Sequence, residues 1–235
     1  MEARQRSMLL SPAMFLTLAL GLVLLAVALW RWHQTGWGTG AGIGWGAVVW
    51  LVSFLGVSVI RTPHALRGRA NPVTQSHKDG TEKAVLAGAF LTMMVLPLVH
   101  LATGVFAFAD YALPDPVTAV AAALQIPFLW LFWRSHADLG LNWSPGLELR
   151  ETHELVTRGV YARIRHPMYA AIWIQALTQP LLLHNWIAGF LAVPAFAAMW
   201  FLRVPQEEKL MRARFGDAYD AYAARAGRLF PKTGK

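Results

Sequence analysis

Charged residues are absent from long stretches of this chain and crowd together between them. The first such stretch runs from Met8 to Trp30, and others cover residues 32–60, 84–109 and 116–133. Each is near the roughly 20 apolar residues that a helix needs to cross a bilayer. A fifth, residues 166–202, is 37 residues long, and Pro180 with His184 and Asn185 near its middle marks a turn. It predicts a tight hairpin of two helices with about 18 residues, or roughly 27 Å, per arm. The pattern therefore predicts six helices, at about 8–30, 43–60, 84–108, 117–133, 168–183 and 186–203. Ala26-Val27-Ala28 has the small-residue form of a signal-peptidase site, but the run before it exceeds a signal sequence's apolar region, so a retained first helix is expected. The expected fold class is all-α: a polytopic membrane helical bundle with cytoplasmic C-terminal helices. Residues 1–133 would hold about four spans, and 134–235 the hairpin with its flanking polar segments.

Composition supports this reading. The chain is 56% hydrophobic and 14% charged, with a mean hydropathy of +0.39, too apolar for an ordinary soluble domain. A net charge of +8 can signal nucleic acid, yet where the cations fall argues against it. Counted by connecting segment, Lys and Arg number 2 at the N-terminus, 1 in residues 31–42, 5 in 61–83, none in 109–116, 5 in 134–167, none in 184–185 and 8 in 203–235. Alternate segments hold 20 against 1, so the positive-inside rule places both termini and the two long loops in the cytoplasm. The partner implied is the lipid bilayer, with no nucleic acid. The Ala- and Arg-rich composition points to a bacterial inner membrane.

Other classes recede on chemistry. The chain has no cysteine, which removes disulfides, thiolate nucleophiles and thiolate metal sites. His64, His77, His100 and His184 have no partners at metal-ligand spacing, and no metal is expected. The predicted spans contain no charged residue, unlike ion or proton pathways. The glycine-rich run "TGWGTGAGIGWG" (35–46) follows no strand and reads as close helix packing or a turn, not a phosphate loop.

The remaining polar chemistry lies in residues 134–171 and 203–231, which flank the hairpin and are brought together when it folds. Pro167 suits the first turn of helix five. The unpaired N–H groups beyond it, with Arg165 and His166 alongside, form a place for a carboxylate or phosphate. The competing reading is a positive-inside flank with Tyr161 and Tyr169 as interfacial aromatics. Arg203 and Glu207 are at helical pairing distance, which by itself means only a surface salt bridge. Phe215-Gly216-Asp217 reads as one helix ending and another beginning, with Tyr219 and Tyr222 as packing residues on the second.

Taken together, "HELVTRGVYARIRHPMY" (153–169) and "RVPQEEKLMRARFGDAYDAYAAR" (203–225) resemble the isoprenylcysteine carboxyl methyltransferase family, within the wider group that includes phospholipid N-methyltransferases. "LGLNWSP" (139–145) resembles it too, so the likeness covers about residues 134–231. The resemblance implies an integral-membrane enzyme using S-adenosylmethionine in a cytoplasmic pocket. Carried over by motif position, His153, Leu155, Val156, Gly159, Tyr161, Arg165, His166, Tyr169 and Glu208 would bind the cofactor. Arg203, with Glu208 nearby, would be catalytic and face the methyl acceptor. The residue types agree with this. Helix-five donors suit the cofactor's carboxylate, and Glu208 or Glu207 suits its ammonium or ribose.

For the acceptor, a carboxylate needs no base and would be oriented by a cation such as Arg203. An amine or thiol would need Glu207 or Glu208 as base. O-methylation of a lipophilic or amphipathic acceptor, such as the carboxylate of an isoprenylcysteine-like substrate entering sideways from the lipid, is favoured over N- or S-methyl transfer. Two alternatives remain: an NADPH-dependent membrane reductase of the sterol-reductase type, and a non-enzymatic membrane protein in which the motifs only cap helices.

Overall fold

The computed structural model describes residues 12–35, 44–68, 73–76, 80–143, 148–150 and 154–232, though not every side chain within them. Among the described residues, seven helices longer than one turn carry the fold: α1 (Pro12–Thr35), α2 (Trp45–Gly68), α3 (Gly80–Thr103), α4 (Asp115–Leu139), α5 (Pro167–Leu183), α6 (Trp186–Phe215) and α7 (Asp217–Arg225). The expected all-α fold gains one ribbon, in which β1 (Val73–Ser76) pairs antiparallel with β2 (Glu148–Arg150). It ties together the two long loops, whose backbone groups need partners outside the helices.

Among the described residues, four helices are long and apolar enough to cross a membrane: α2 over Trp45–Ala65, α3, α4 and α6. The fifth helix has only 17 residues, about 25 Å of rise, which explains why the hairpin's first arm falls short of that group. Large apolar side chains including Val59, Ile126 and Phe201 face outward, as lipid contact requires. These helices make the chain an integral membrane protein. α6 is longer than its apolar run, continuing past Arg203 to Phe215 before Gly216 turns the chain at φ 52° into α7.

α5 is the central element and packs on α2, α4 and α6, while α3 lies along α6 and α1 covers the end of α3. Polar side chains fasten these apolar surfaces. α3 widens to a π-turn at Leu91–Val95, just before Pro97, which has no N–H for the regular ladder. The Thr92 carbonyl there accepts from Gln179 Nε2 at 2.9 Å. Gln179 also donates to Ala188 O at 2.8 Å and accepts from Trp50 Nε1 at 3.3 Å, so one fully buried carboxamide joins α2, α3, α5 and α6. The predicted hairpin turn is present. His184 adopts the left-handed conformation, and Asn185 Oδ1 caps α6 by accepting from Ile187 N (2.9 Å) and Ala188 N (2.7 Å).

Gly46 carries the close packing expected of the glycine-rich run, most of which lies outside the described residues. A Cβ there would collide with the Leu182 carbonyl, so α2 and α5 touch backbone to backbone. Arg31, near the end of α1, donates to His100 O (3.1 Å) and Leu101 O (3.3 Å), satisfying carbonyls at the end of α3.

Candidate active site

The hairpin's two outer ends meet as the sequence expects. Pro167 opens α5 at its first position and His166 is the cap residue. The strand-like segment before it is held by the tail: Arg165 N donates to Gly227 O (2.7 Å), His166 N to Arg228 O (3.0 Å), and Gly227 N to Arg163 O (3.0 Å). Residues 163–166 and 227–228 are thereby locked beside α6.

Glu208 organises the charges at this junction. Its carboxylate accepts from Arg165 Nε (3.3 Å) and Nη2 (3.2 Å), lies 3.2 Å from His166 Nε2, and accepts from Arg228 Nε (3.1 Å) and Nη2 (2.7 Å). Only 1% of Glu208 is exposed, a burial that a carboxylate tolerates only when surrounded by donors. In return it holds the Arg228 guanidinium still more firmly charged. Arg165 also donates through Nη1 to the carbonyls of Ala223 (3.0 Å) and Ala226.

In front of this cluster opens a cavity of about 580 Å³, within the size range of small-molecule sites. Leu155, Val156, Tyr161, Arg165, His166, Tyr169, Arg203 and Glu207 all line it, whereas Glu208 and Gly159 do not. His153 lies outside the described residues. Gly159 serves the loop instead. Its φ is +60°, a Cβ would overlap the Asp138 carboxylate, and the next residue's N–H donates to Asp138 Oδ2 at 2.9 Å. Arg134 Nη2, 2.6 Å from Asp138 Oδ1, steadies that clamp.

Glu207 is the pocket-facing acid of the pair. Tyr169 OH donates to its Oε2 at 2.9 Å, and His166 Nδ1 lies 3.8 Å from its Oε1. His166 thus stands between two carboxylates. Tyr161 OH donates to Ser135 O at 3.3 Å, and burial, reinforced by nearby Glu207, pushes its phenol up so that it stays neutral. Arg203 is no surface residue: its Nη1 lies 3.7 Å from Glu82 Oε1 of α3, and both side chains are buried.

Several further cavity residues were not among those carried over by motif position. Arg61 of α2 places its guanidinium 5.5 Å from the Trp143 ring centroid, a cation–π contact. His136, fully buried, stacks among Phe132 and Trp143 with Nδ1 2.8 Å from Phe132 O. Asn142, within "LGLNWSP", accepts from Glu154 N at 3.0 Å and so fixes the start of the next motif. Tyr219 and Tyr222 pack with Leu155 as expected, and also reach the cavity. Tyr222 OH donates to Tyr161 O at 2.7 Å. Position in the sequence, at the end of one apolar run and the start of another, was the only sign that Arg61 and Glu82 face inward.

The cavity has two characters. One end carries guanidinium, carboxylate, imidazole and phenol groups; the other is walled by Trp50, Phe54, Met93, Phe128, Phe132 and Met199. Such a space suits a zwitterionic, aromatic-bearing molecule beside a lipophilic one. Among the described residues, no group of three or more acidic or histidine side chains is placed to hold a metal ion.

The profile of the isoprenylcysteine carboxyl methyltransferase family matches residues 121–213. Over 70 residues the chain is 37% identical to a protein-S-isoprenylcysteine O-methyltransferase of Schizosaccharomyces pombe, covering 30% of each chain. Over 75 residues it is 35% identical to protein-S-isoprenylcysteine O-methyltransferase B of Arabidopsis thaliana, covering 32% of this chain and 38% of that one. The chain thus spans about a third of the length of these curated relatives. The matched region contains α5, most of α6 and, at the polar junction, Arg165, His166, Glu207 and Glu208, so this part of the chain is similar to the isoprenylcysteine carboxyl methyltransferase family.

Proposed function

We propose that the protein is an integral-membrane, S-adenosylmethionine-dependent methyltransferase that methylates a carboxylate on a lipophilic acceptor, of which an isoprenylcysteine is one form. The observation that carries this reading is the two-character cavity, whose polar end is built from the family-matched segment and whose apolar end is completed by α2 and α3. The residues present fit the cofactor: they combine cations, carboxylates and aromatic faces on one wall. When bound, S-adenosylmethionine supplies an electrophilic methyl on a positively charged sulfur.

The chain's own residues do the rest. Glu207, braced by Tyr169 OH, accepts from the ammonium or ribose hydroxyls. Arg165 and His166, with the first-turn N–H groups of α5, attract the carboxylate end, and Glu208 holds both side chains in place from behind. Leu155, Val156 and Tyr161 close the sides, while His153 belongs to the same proposed set. Arg203 orients the acceptor's carboxylate with Glu82 fixing its direction. That carboxylate is already ionised at neutral pH, so no general base is needed. The apolar wall excludes water and aligns donor with acceptor, which supplies much of the acceleration in a displacement that consumes charge.

Six spans, with both termini and the site in the cytoplasm, complete the proposal; the asymmetry of Lys and Arg between alternate loops supports it. The reductase alternative is not favoured, since the relatives are named as methyltransferases. The test is methyl transfer from labelled S-adenosylmethionine to lipid-linked and water-soluble carboxylates. Incorporation into the lipid-linked ones is expected, and exclusive use of the soluble ones contradicts the reading.

A further inference from the structure

We infer that Arg61, together with Arg203, receives the carboxylate of the methyl acceptor, and that this pair of cations makes the site hold the free acid and release the methyl ester formed from it. The inference rests on the methyltransferase reading above and deepens it with a binding residue from outside the family-matched segment. Arg61 of α2 lines the cavity and is exposed. The buried Trp143 ring lies beside its guanidinium, 5.5 Å from charge to centroid. A cation–π contact steadies the charge but supplies no hydrogen-bond acceptor, so five N–H donors still call for one. Among the described residues, no hydrogen bond or ion pair takes them up.

Arg61 is also near enough to Arg203 to feel its charge. In an enclosed site two like charges raise each other's cost unless anions join them. Glu82, 3.7 Å from Arg203 Nη1, supplies one negative charge. The acceptor's carboxylate supplies a second.

The face of α2 that carries Arg61 selects the kind of anion. Val57, Phe54 and Trp50 lie four, seven and eleven residues before it, on one side of the helix, and all line the cavity. A carboxylate on Arg61 therefore continues into about 16 Å of apolar wall, which suits a hydrocarbon tail. The amino-acid end of S-adenosylmethionine continues instead into a polar ribose, and Arg165 and His166 stand at the polar end for it.

Transfer joins one carboxylate oxygen to the methyl carbon, the sulfur keeps the electron pair of the bond that breaks, and no proton moves. The acceptor thereby loses its charge, and the two guanidiniums lose the anion between them. The ester is held less tightly than the acid for that reason.

The experiment compares N-acetyl-S-farnesylcysteine with its methyl ester by calorimetry on the purified full chain in detergent, without methyl donor, and titrates S-adenosylmethionine separately. The parent is expected to bind the acid at least about tenfold more tightly than the ester. Arg61→Gln is expected to remove most of that preference by weakening the acid, with ester and S-adenosylmethionine affinities within about twofold of the parent. If the glutamine variant does not fold, Arg61→Lys keeps the charge without the planar fork and should weaken the acid alone by about threefold. Equal affinities for acid and ester in the parent, binding of neither probe, a full acid preference that survives substitution, or a loss of S-adenosylmethionine affinity in the variant overturns the inference. Failure of S-adenosylmethionine to bind the parent would instead overturn the methyltransferase reading beneath it.

Discussion

His166 Nε2 lies 3.2 Å from Glu208 Oε1 while His166 Nδ1 lies 3.8 Å from Glu207 Oε1, so one buried imidazole links the carboxylate behind the cavity wall to the one that faces inside. Neighbours in sequence, the two glutamates have different tasks. Glu208 neutralises and fixes the cations, whereas Glu207 lines the cavity.

Glu208→Ala strips Arg165, His166 and Arg228 of a shared partner. With Arg165 nearly buried and Arg228 half exposed, the expected loss of stability is roughly 3 kcal/mol after allowing for screening at Arg228. S-adenosylmethionine affinity falls with it. Denaturant unfolding in detergent, paired with calorimetry, checks both effects.

Glu207→Gln keeps the shape of the side chain and removes the charge. Because Glu207 is more exposed than Glu208 and bonds Tyr169, its loss is expected to weaken S-adenosylmethionine at least tenfold with under about 1 kcal/mol of destabilisation. Tyr169→Phe, which removes only the brace, should have a smaller effect on affinity. Unfolding measured alongside the titration separates the two glutamates.

The hairpin, both ends of α5, the start of α7 and the approach of residues 134–171 to 203–231 were legible because each depends on local signals: a charge-free run of double length, Pro167, His184-Asn185 and Gly216. The π-turn before Pro97 and the Gln179 staple were not, since an amide reaching across four helices leaves no periodicity. The motif brought Glu208 forward as the pocket residue, whereas it is Glu207 that lines the cavity. Which one faces the cavity depends on the turn of α6 relative to Arg165 and Arg228, and Arg228 lies beyond the motif. Glu82 became a partner of Arg203 only through the packing of α3 on α6.

Arg203→Lys retains the charge but not the planar fork. Turnover of a carboxylate acceptor is expected to fall by at least tenfold, with S-adenosylmethionine affinity within about twofold of the parent. Steady-state kinetics against calorimetry separates these outcomes; a parallel loss of cofactor binding would assign Arg203 to the cofactor instead.

Tyr222→Phe removes the buried bond to Tyr161 O and should cost about 1–2 kcal/mol of stability without changing cofactor affinity. Burial also pushes the phenols of Tyr219 and Tyr222 up to about 12, above the value of about 10 for an unfolded chain. A raised folded value means that the stabilisation is intact below about pH 10 and is lost as pH rises toward 12. Phenolate absorbance followed with unfolding should show α7 remaining packed through the lower part of that window.

Titration of the purified protein with S-adenosylmethionine, with NADPH in parallel and His166→Ala and Glu207→Gln as controls, tests the central claim most directly. The account predicts saturable binding of S-adenosylmethionine alone, weakened in both variants. Binding of NADPH alone, or S-adenosylmethionine affinity unchanged in both variants, would contradict it.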